Sequence, residues 1–315
     1  MRRLLAAAAA AALVLAAGNA EAQTRLTYKS AKAGSSYYQM GVQIAEAMKA
    51  SGDFSVTLEE SQGSVQNVME AAVRGGDYVF TSPPNLVALA RDGKAMFAER
   101  ANPRFSEIRA LFPIPSLTMH FVARADAGIE TFSDLAGKTV LLGKGTFGAT
   151  EGEKYLDLFG IADEVEIADV ELSNAVPALR NGRIDAFVTA GSFPAPNVIE
   201  AAAGTGVTLL SLTEEQVAET GRARLVIPAG TYPGQDEDVL TTSLPVVAYA
   251  TGAMDDDVAY ALTKTFWEQK AALGETARWW NAVTPALLEN VTGEIHPGAL
   301  RYYDEIGVAV PATAR

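Results

Sequence analysis

Two stretches of this chain follow one pattern, and that pattern constrains the fold more than any other feature. Residues 67–81 read NVMEAAVRGGDYVFT, and residues 174–189 read NAVPALRNGRIDAFVT. Each opens on Asn, runs as a short amphipathic helix to Arg and Gly, and turns at Asp into an apolar strand, with Thr four residues after the Asp. Glycine past a helix end supplies a left-handed cap, and the strand then runs inward. Two such units imply two related lobes, and the chain around them alternates strand-like and helix-like segments, as α/β proteins do. Hydrophobic spacing predicts strands near 25–29, 54–59, 77–81 and 108–112, with helices near 37–50, 65–74 and 83–91. Further apolar strands are expected at 119–124, 139–142 and 245–250. A helix over 258–270 follows Asp255, Asp256 and Asp257, whose charges suit its positive end.

The junctions from strand to helix carry the polar chemistry. After the first strand, Gly34 makes the turn, Ser35 and Ser36 fall where a helix cap belongs, and Tyr37 or Tyr38 supplies an aromatic wall. At Gln62-Gly63-Ser64-Val65-Gln66-Asn67, Ser64 is placed to cap the next helix, and Asn67 is the better ligand contact. Thr81 and Asn85 flank the proline-led turn Ser82-Pro83-Pro84. In Gly143-Lys144-Gly145-Thr146-Phe147-Gly148, Gly145 and Thr146 present backbone N–H groups and Lys144 adds a positive charge. Gly191 completes the candidate set. Such junctions can hold a small anion with backbone donors and helix dipoles, without a catalytic group. The last segment also matches G-x-G-x-x-G, but it does not follow the first strand, and the stretch at 165–169 is short and charged for a dinucleotide-binding strand.

Composition narrows the function. The first 22 residues combine Arg2 and Arg3, an apolar run over 4–17 and Ala20-Glu21-Ala22, which reads as a signal peptide cleaved near Ala22. The remainder is expected to be periplasmic, not to span a membrane, and to be long enough for two domains. The 315 residues include no cysteine, which excludes disulfides and thiolate chemistry. A net charge of -13 argues against nucleic acid and anionic membranes, so any anion site must be locally positive. His120 and His296 are the only histidines, and no metal-ligand spacing is present; no cofactor is expected. A secreted hydrolase using His120 with Ser116 or Thr118 is the rival from another class, without an acid partner in view.

Taken together, the motifs resemble the TAXI-type solute receptors of tripartite ATP-independent periplasmic (TRAP) transporters. The resemblance spans nearly the whole chain after the leader. It rests on Gly34-Ser35-Ser36-Tyr37-Tyr38, Gly63-Ser64-Val65-Gln66-Asn67, Gly145-Thr146, Gly182-Arg183-Ile184-Asp185-Ala186-Phe187, residues 227–235 and His296-Pro297-Gly298-Ala299-Leu300-Arg301-Tyr302-Tyr303. It implies a periplasmic-binding-protein-like fold of type II, each lobe a mixed sheet flanked by helices, with a ligand cleft between them. The lobes would comprise 23–121 plus 250–315, and 122–249. The resemblance further implies capture of a small organic anion, glutamate-like or a dicarboxylate, and delivery to TRAP-type membrane subunits; a receptor for an ATP-driven importer is the alternative. Ser35, Ser36, Tyr37, Asn67, Gly145 and Thr146 carry over as ligand contacts. The chain departs from the family pattern at Ser35-Ser36, where Gly-Gly is common, and at Lys144, where serine is common. A lysine there favours a second carboxylate.

Overall fold

The computed structural model describes residues 23–315 except Gly34 and Gly145, and leaves the Phe147 side chain undescribed; the expected leader, 1–22, lies outside the described residues. The first unit runs β1 (Thr24–Lys29), α1 (Ser36–Ser51), β2 (Phe54–Glu59), α2 (Ser64–Glu70), β3 (Tyr78–Ser82) and α3 (Pro84–Arg91). Beyond β4 (Ile108–Arg124), a second unit repeats that order. It comprises β5 (Thr139–Leu141), α4 (Phe147–Leu158), β6 (Glu166–Ile167), α5 (Ala175–Arg180), β7 (Ala186–Gly191) and α6 (Pro196–Gly204). In each unit the first strand lies parallel between the other two. A long antiparallel strand closes each set: β10 (Val239–Thr251) pairs with β3, and β4 pairs with β7.

The two long strands also pair with each other, giving the order β2-β1-β3-β10-β4-β7-β5-β6. Strand β8 (Val207–Leu209) adds to β4, and β9 (Ala223–Ile227) adds to β10. Each unit is thus a mixed sheet carrying helices, and β4 and β10 link them.

Sequence spacing fixes the helices well. In α1, Met40, Ile44 and Met48 recur every four residues and are all buried, while Gly52 ends the helix in the left-handed region at φ 88°. The strands at 108–112 and 119–124 turn out to be one strand of 17 residues. Pro113 and Pro115 make the sequence look interrupted there. Over that stretch β4 has β10 on one side and, besides it, the isolated bridge Ala110–Ile295. The register with β10 also shifts between Leu244 and Val246, opposite Pro115. An edge and a bulge are where a sheet accommodates proline.

The chain's last helices return to the first unit. Phe112 of β4 stacks at 3.9 Å on Phe266 of α7 (Asp256–Glu268), and buried Trp280 donates its Nε1–H to Gln43 Oε1 of α1 at 2.7 Å. Among the described residues no helix is long and apolar enough to cross a membrane.

Candidate functional site

A cavity of about 100 Å³ opens between the units, at the carboxyl ends of β1, β3 and β7. In open α/β sheets this is where ligands bind. Helix α1 enters from one side with Ser35 as N-cap, and α4 from the other with Thr146 as N-cap. Ser35 Oγ accepts the Tyr38 N–H at 3.2 Å and donates to Lys32 O at 2.7 Å. Thr146 Oγ1 accepts the Ala149 N–H at 3.0 Å and donates to Gly143 O at 2.8 Å. Both hydroxyls therefore serve the caps. What the two helices offer a ligand is the remaining first-turn amides and the positive ends of their dipoles.

The expected Ser64 cap is not formed. Gly63 occupies the N-cap position at φ 122°, no side chain caps α2, and Ser64 is the first helical residue, lining the cavity. Asn67 is not a lining residue either. It is fully buried behind the wall, where its Nδ2 donates to Ser30 O at 2.7 Å and to Thr81 O at 2.9 Å. It thereby ties the end of β1 to the end of β3. Tyr28 reinforces the same tie through a 2.9 Å hydrogen bond between its hydroxyl and Thr81 Oγ1, and burial raises its phenol far above its ordinary value, so it stays neutral. Thr81 itself lines the cavity.

Ser36 does something the sequence does not announce. Its Oγ accepts the Ser192 N–H at 3.2 Å, joining α1 of one unit to the end of β7 in the other. A Cβ at Gly191 would come 2.6 Å from that same Oγ. Gly191 is therefore a clearance that lets the units meet. Tyr37 lines the cavity and donates its hydroxyl to Pro115 O at 3.0 Å, while Tyr38 stands outside the lining, half-buried. Asn85, in the first turn of α3, is also outside it, and its buried Oδ1 has no partner. Lys144 points away: its side chain is 77% exposed and pairs with Asp169 at 3.0 Å. Gly145 lies outside the described residues.

Sequence reasoning passed over several lining residues: Ser30, Lys32, Leu117, Thr189 and Val246. Thr189 was reachable, because it is the repeat partner of Thr81. Leu117 and Val246 come from the crossing strands β4 and β10, where apolar residues look like ordinary core.

His120 is buried in β4, with Nδ1 bonded to Thr118 O at 3.1 Å and Nε2 to the Tyr232 hydroxyl at 2.8 Å. The Tyr232 oxygen also accepts the Ala195 N–H at 2.8 Å. Desolvation by burial lowers the imidazole to about 4, so it is neutral at pH 7. Both ring nitrogens are engaged in this way, so His120 bridges Thr118 O and the Tyr232 hydroxyl, and neither bond goes to the Ser116 or Thr118 hydroxyl that the hydrolase rival would use. Among the described residues no three His, Cys, Asp or Glu side chains group closely enough for a metal ion.

Comparison with known proteins gives the family and the fold. The model of the NMT1-like family matches residues 29–307. The chain belongs to the NMT1-like family. Among solved structures, this NMT1-like protein is similar to MatC from Rhodopseudomonas palustris with bound malate. The TM-score is 0.58 at 13% identity, over 90% of this chain and 97% of that one. It is also similar to the periplasmic binding protein BugD (TM-score 0.56, 12% identity, 91% and 99% coverage). A protein of Bordetella bronchiseptica RB50 gives TM-score 0.50 at 18% identity over 94% and 86%. The fold is that of periplasmic binding proteins, as the resemblance implied.

Proposed function

We propose that this protein is a periplasmic solute receptor that closes its two lobes on a small organic anion and delivers it to a TRAP-type secondary transporter. The observation that carries the reading is the convergence of two helix N-termini, α1 and α4, from different units on one cavity. Ser64, Thr81 and Thr189 line the same space. Micromolar capture needs about 8 kcal/mol. At about 1.5–3 kcal/mol for each hydrogen bond to a charged group, four to six converging donors supply it. The malate bound in MatC is an organic acid, which agrees with this class of ligand.

We place the hinge at residues 115–117 and 244–245, where the register between β4 and β10 shifts just before β4 takes up β7. That lies upstream of the division expected at 121/122 and 249/250. The expected preference for a dicarboxylate leaned on Lys144, which reaches Asp169 instead of the cavity; the glutamate-like alternative came from the family resemblance. A thermal-shift screen of mono- and dicarboxylates, amino acids and sugars tests the ligand class. Stabilisation by sugars alone would refute it. At 100 times its dissociation constant a ligand adds about 2.7 kcal/mol. The partner is tested by uptake in vesicles carrying TRAP membrane subunits: transport should follow an ion gradient, and a requirement for ATP would overturn that part.

A further inference from the structure

Charge in the cleft is scarce, and its placement narrows the ligand. Among the described lining residues Lys32 is the single charged side chain. Its Nζ lies 2.6 Å from Glu171 Oε2, a carboxylate of the opposite unit, so its charge is already matched at the cleft mouth. Glu60, on the first unit's side, accepts the Ala33 N–H and stands outside the lining. The neighbouring residues outside the described set, Gly34, Gly145 and Phe147, carry no charge. Lys29 turns away to Glu59 and Glu70.

Apolar groups make up much of the remaining wall: Ala31, Leu117, Leu172, Val188, Ala190 and Val246. An ammonium group entering this space finds no carboxylate, and a buried charge without a partner is strongly unfavourable. A second carboxylate meets the same difficulty, because the one lysine is neutralised. One carboxylate is provided for by the amides and dipoles of α1 and α4.

Resting on the receptor reading above, we infer that the ligand is a monocarboxylate with a compact apolar body and no ammonium group, such as a branched-chain 2-oxo acid. It is neither an α-amino acid nor a dicarboxylate. The carboxylate sits between the two helix N-termini, and the apolar body lies against Leu117, Val188 and Val246.

Three probes of nearly equal size isolate the two excluded groups. 4-Methyl-2-oxopentanoate, leucine and 2-oxoglutarate share a skeleton length but differ by an ammonium or a second carboxylate. Calorimetry on the signal-free chain should show the first binding at least tenfold tighter than either other, a difference of about 1.4 kcal/mol. Leucine binding as tightly overturns the exclusion of ammonium. 2-Oxoglutarate binding as tightly overturns the exclusion of a second carboxylate, while leaving the organic-anion receptor intact. Silence from all three overturns the inference, and the receptor reading falls with it only if the wider carboxylate screen is silent too.

Discussion

The two units are built on one plan yet hold their cleft-facing ends differently. In the first, Thr81 of β3 lies opposite Ala248 of β10; in the second, Thr189 of β7 lies opposite His120 of β4. Both threonines line the cavity. Behind Thr81, Asn67 and Tyr28 bind β1 to β3 in a buried polar network. Asn174, the repeat partner of Asn67, is exposed, because α5 begins one residue after it whereas α2 begins three residues before Asn67. In the second unit Thr189 accepts the Asn197 side chain at 3.2 Å instead. The lesson is that a repeat in sequence fixes the strand and its turn, while a shift of one helical turn changes a residue's role from strut to surface.

The largest expected effect concerns Gly191, a glycine at which the units touch. Gly191→Val puts branched carbon where Ser36 Oγ already stands 2.6 Å from an added Cβ. Closure is then blocked, and affinity for any carboxylate that stabilises the wild type should fall at least a thousandfold, about 4 kcal/mol. The melting temperature without ligand should change little. Unchanged affinity by calorimetry would separate the Ser36–Ser192 contact from the bound state.

The asymmetry of the two asparagines gives the next test. Asn67→Ala removes the side-chain donor to Thr81 O and one of two to Ser30 O, which keeps the Ser61 hydroxyl, so denaturant unfolding should show a loss of about 2 kcal/mol. Asn174→Ala should stay within about 0.5 kcal/mol, as exposed substitutions do. Equal losses would remove the distinction between strut and surface.

A pH dependence should come largely from His120. His120 titrates near 4 when folded and near 6.5 when unfolded. Between those values the unfolded chain binds the extra proton, so stability is fully present above pH 6.5 and declines as pH falls toward 4. The expected loss is about 3 kcal/mol. Burial also lowers His296, which faces Asp256 and the Met254 carbonyl and adds in the same sense. His120→Gln should flatten much of the slope, and an unchanged slope would assign it elsewhere.

Much of this plan was legible beforehand. The apolar period of α1, the strand at 54–59 and the repeat with its two threonines follow from local sequence, and so does the two-lobed fold class. The functions of individual polar residues were not legible, because they depend on what arrives from elsewhere in the chain. Asn67 looks like a ligand contact until β1 and β3 bring two carbonyls to it. Lys144 looks like a site cation until Asp169 is found 3.0 Å away. Lys32 looks like an ordinary loop residue until the second unit sets Glu171 against it. Glycine at 191 could be read as flexibility, and only the approach of α1 shows that it provides space. Residues whose role is set by a contact across the cleft have no signature in their own neighbourhood.

The smallest effect is expected at the mouth of the cleft, and it sharpens what holds the units together. Lys32 and Glu171 bridge them at the surface, with side chains 30% and 57% exposed. An exposed pair of this kind contributes about 0.2–1 kcal/mol. Glu171→Gln should therefore lower ligand affinity by no more than about fivefold, mostly through faster dissociation, and added salt should weaken the wild type toward the variant as the pair is screened. The Ser36–Ser192 contact, buried and uncharged, should not respond to salt at all. If Glu171→Gln instead weakens binding as much as Gly191→Val does, closure is held electrostatically at the rim, and the buried contact beneath it is a consequence of closure and not its cause.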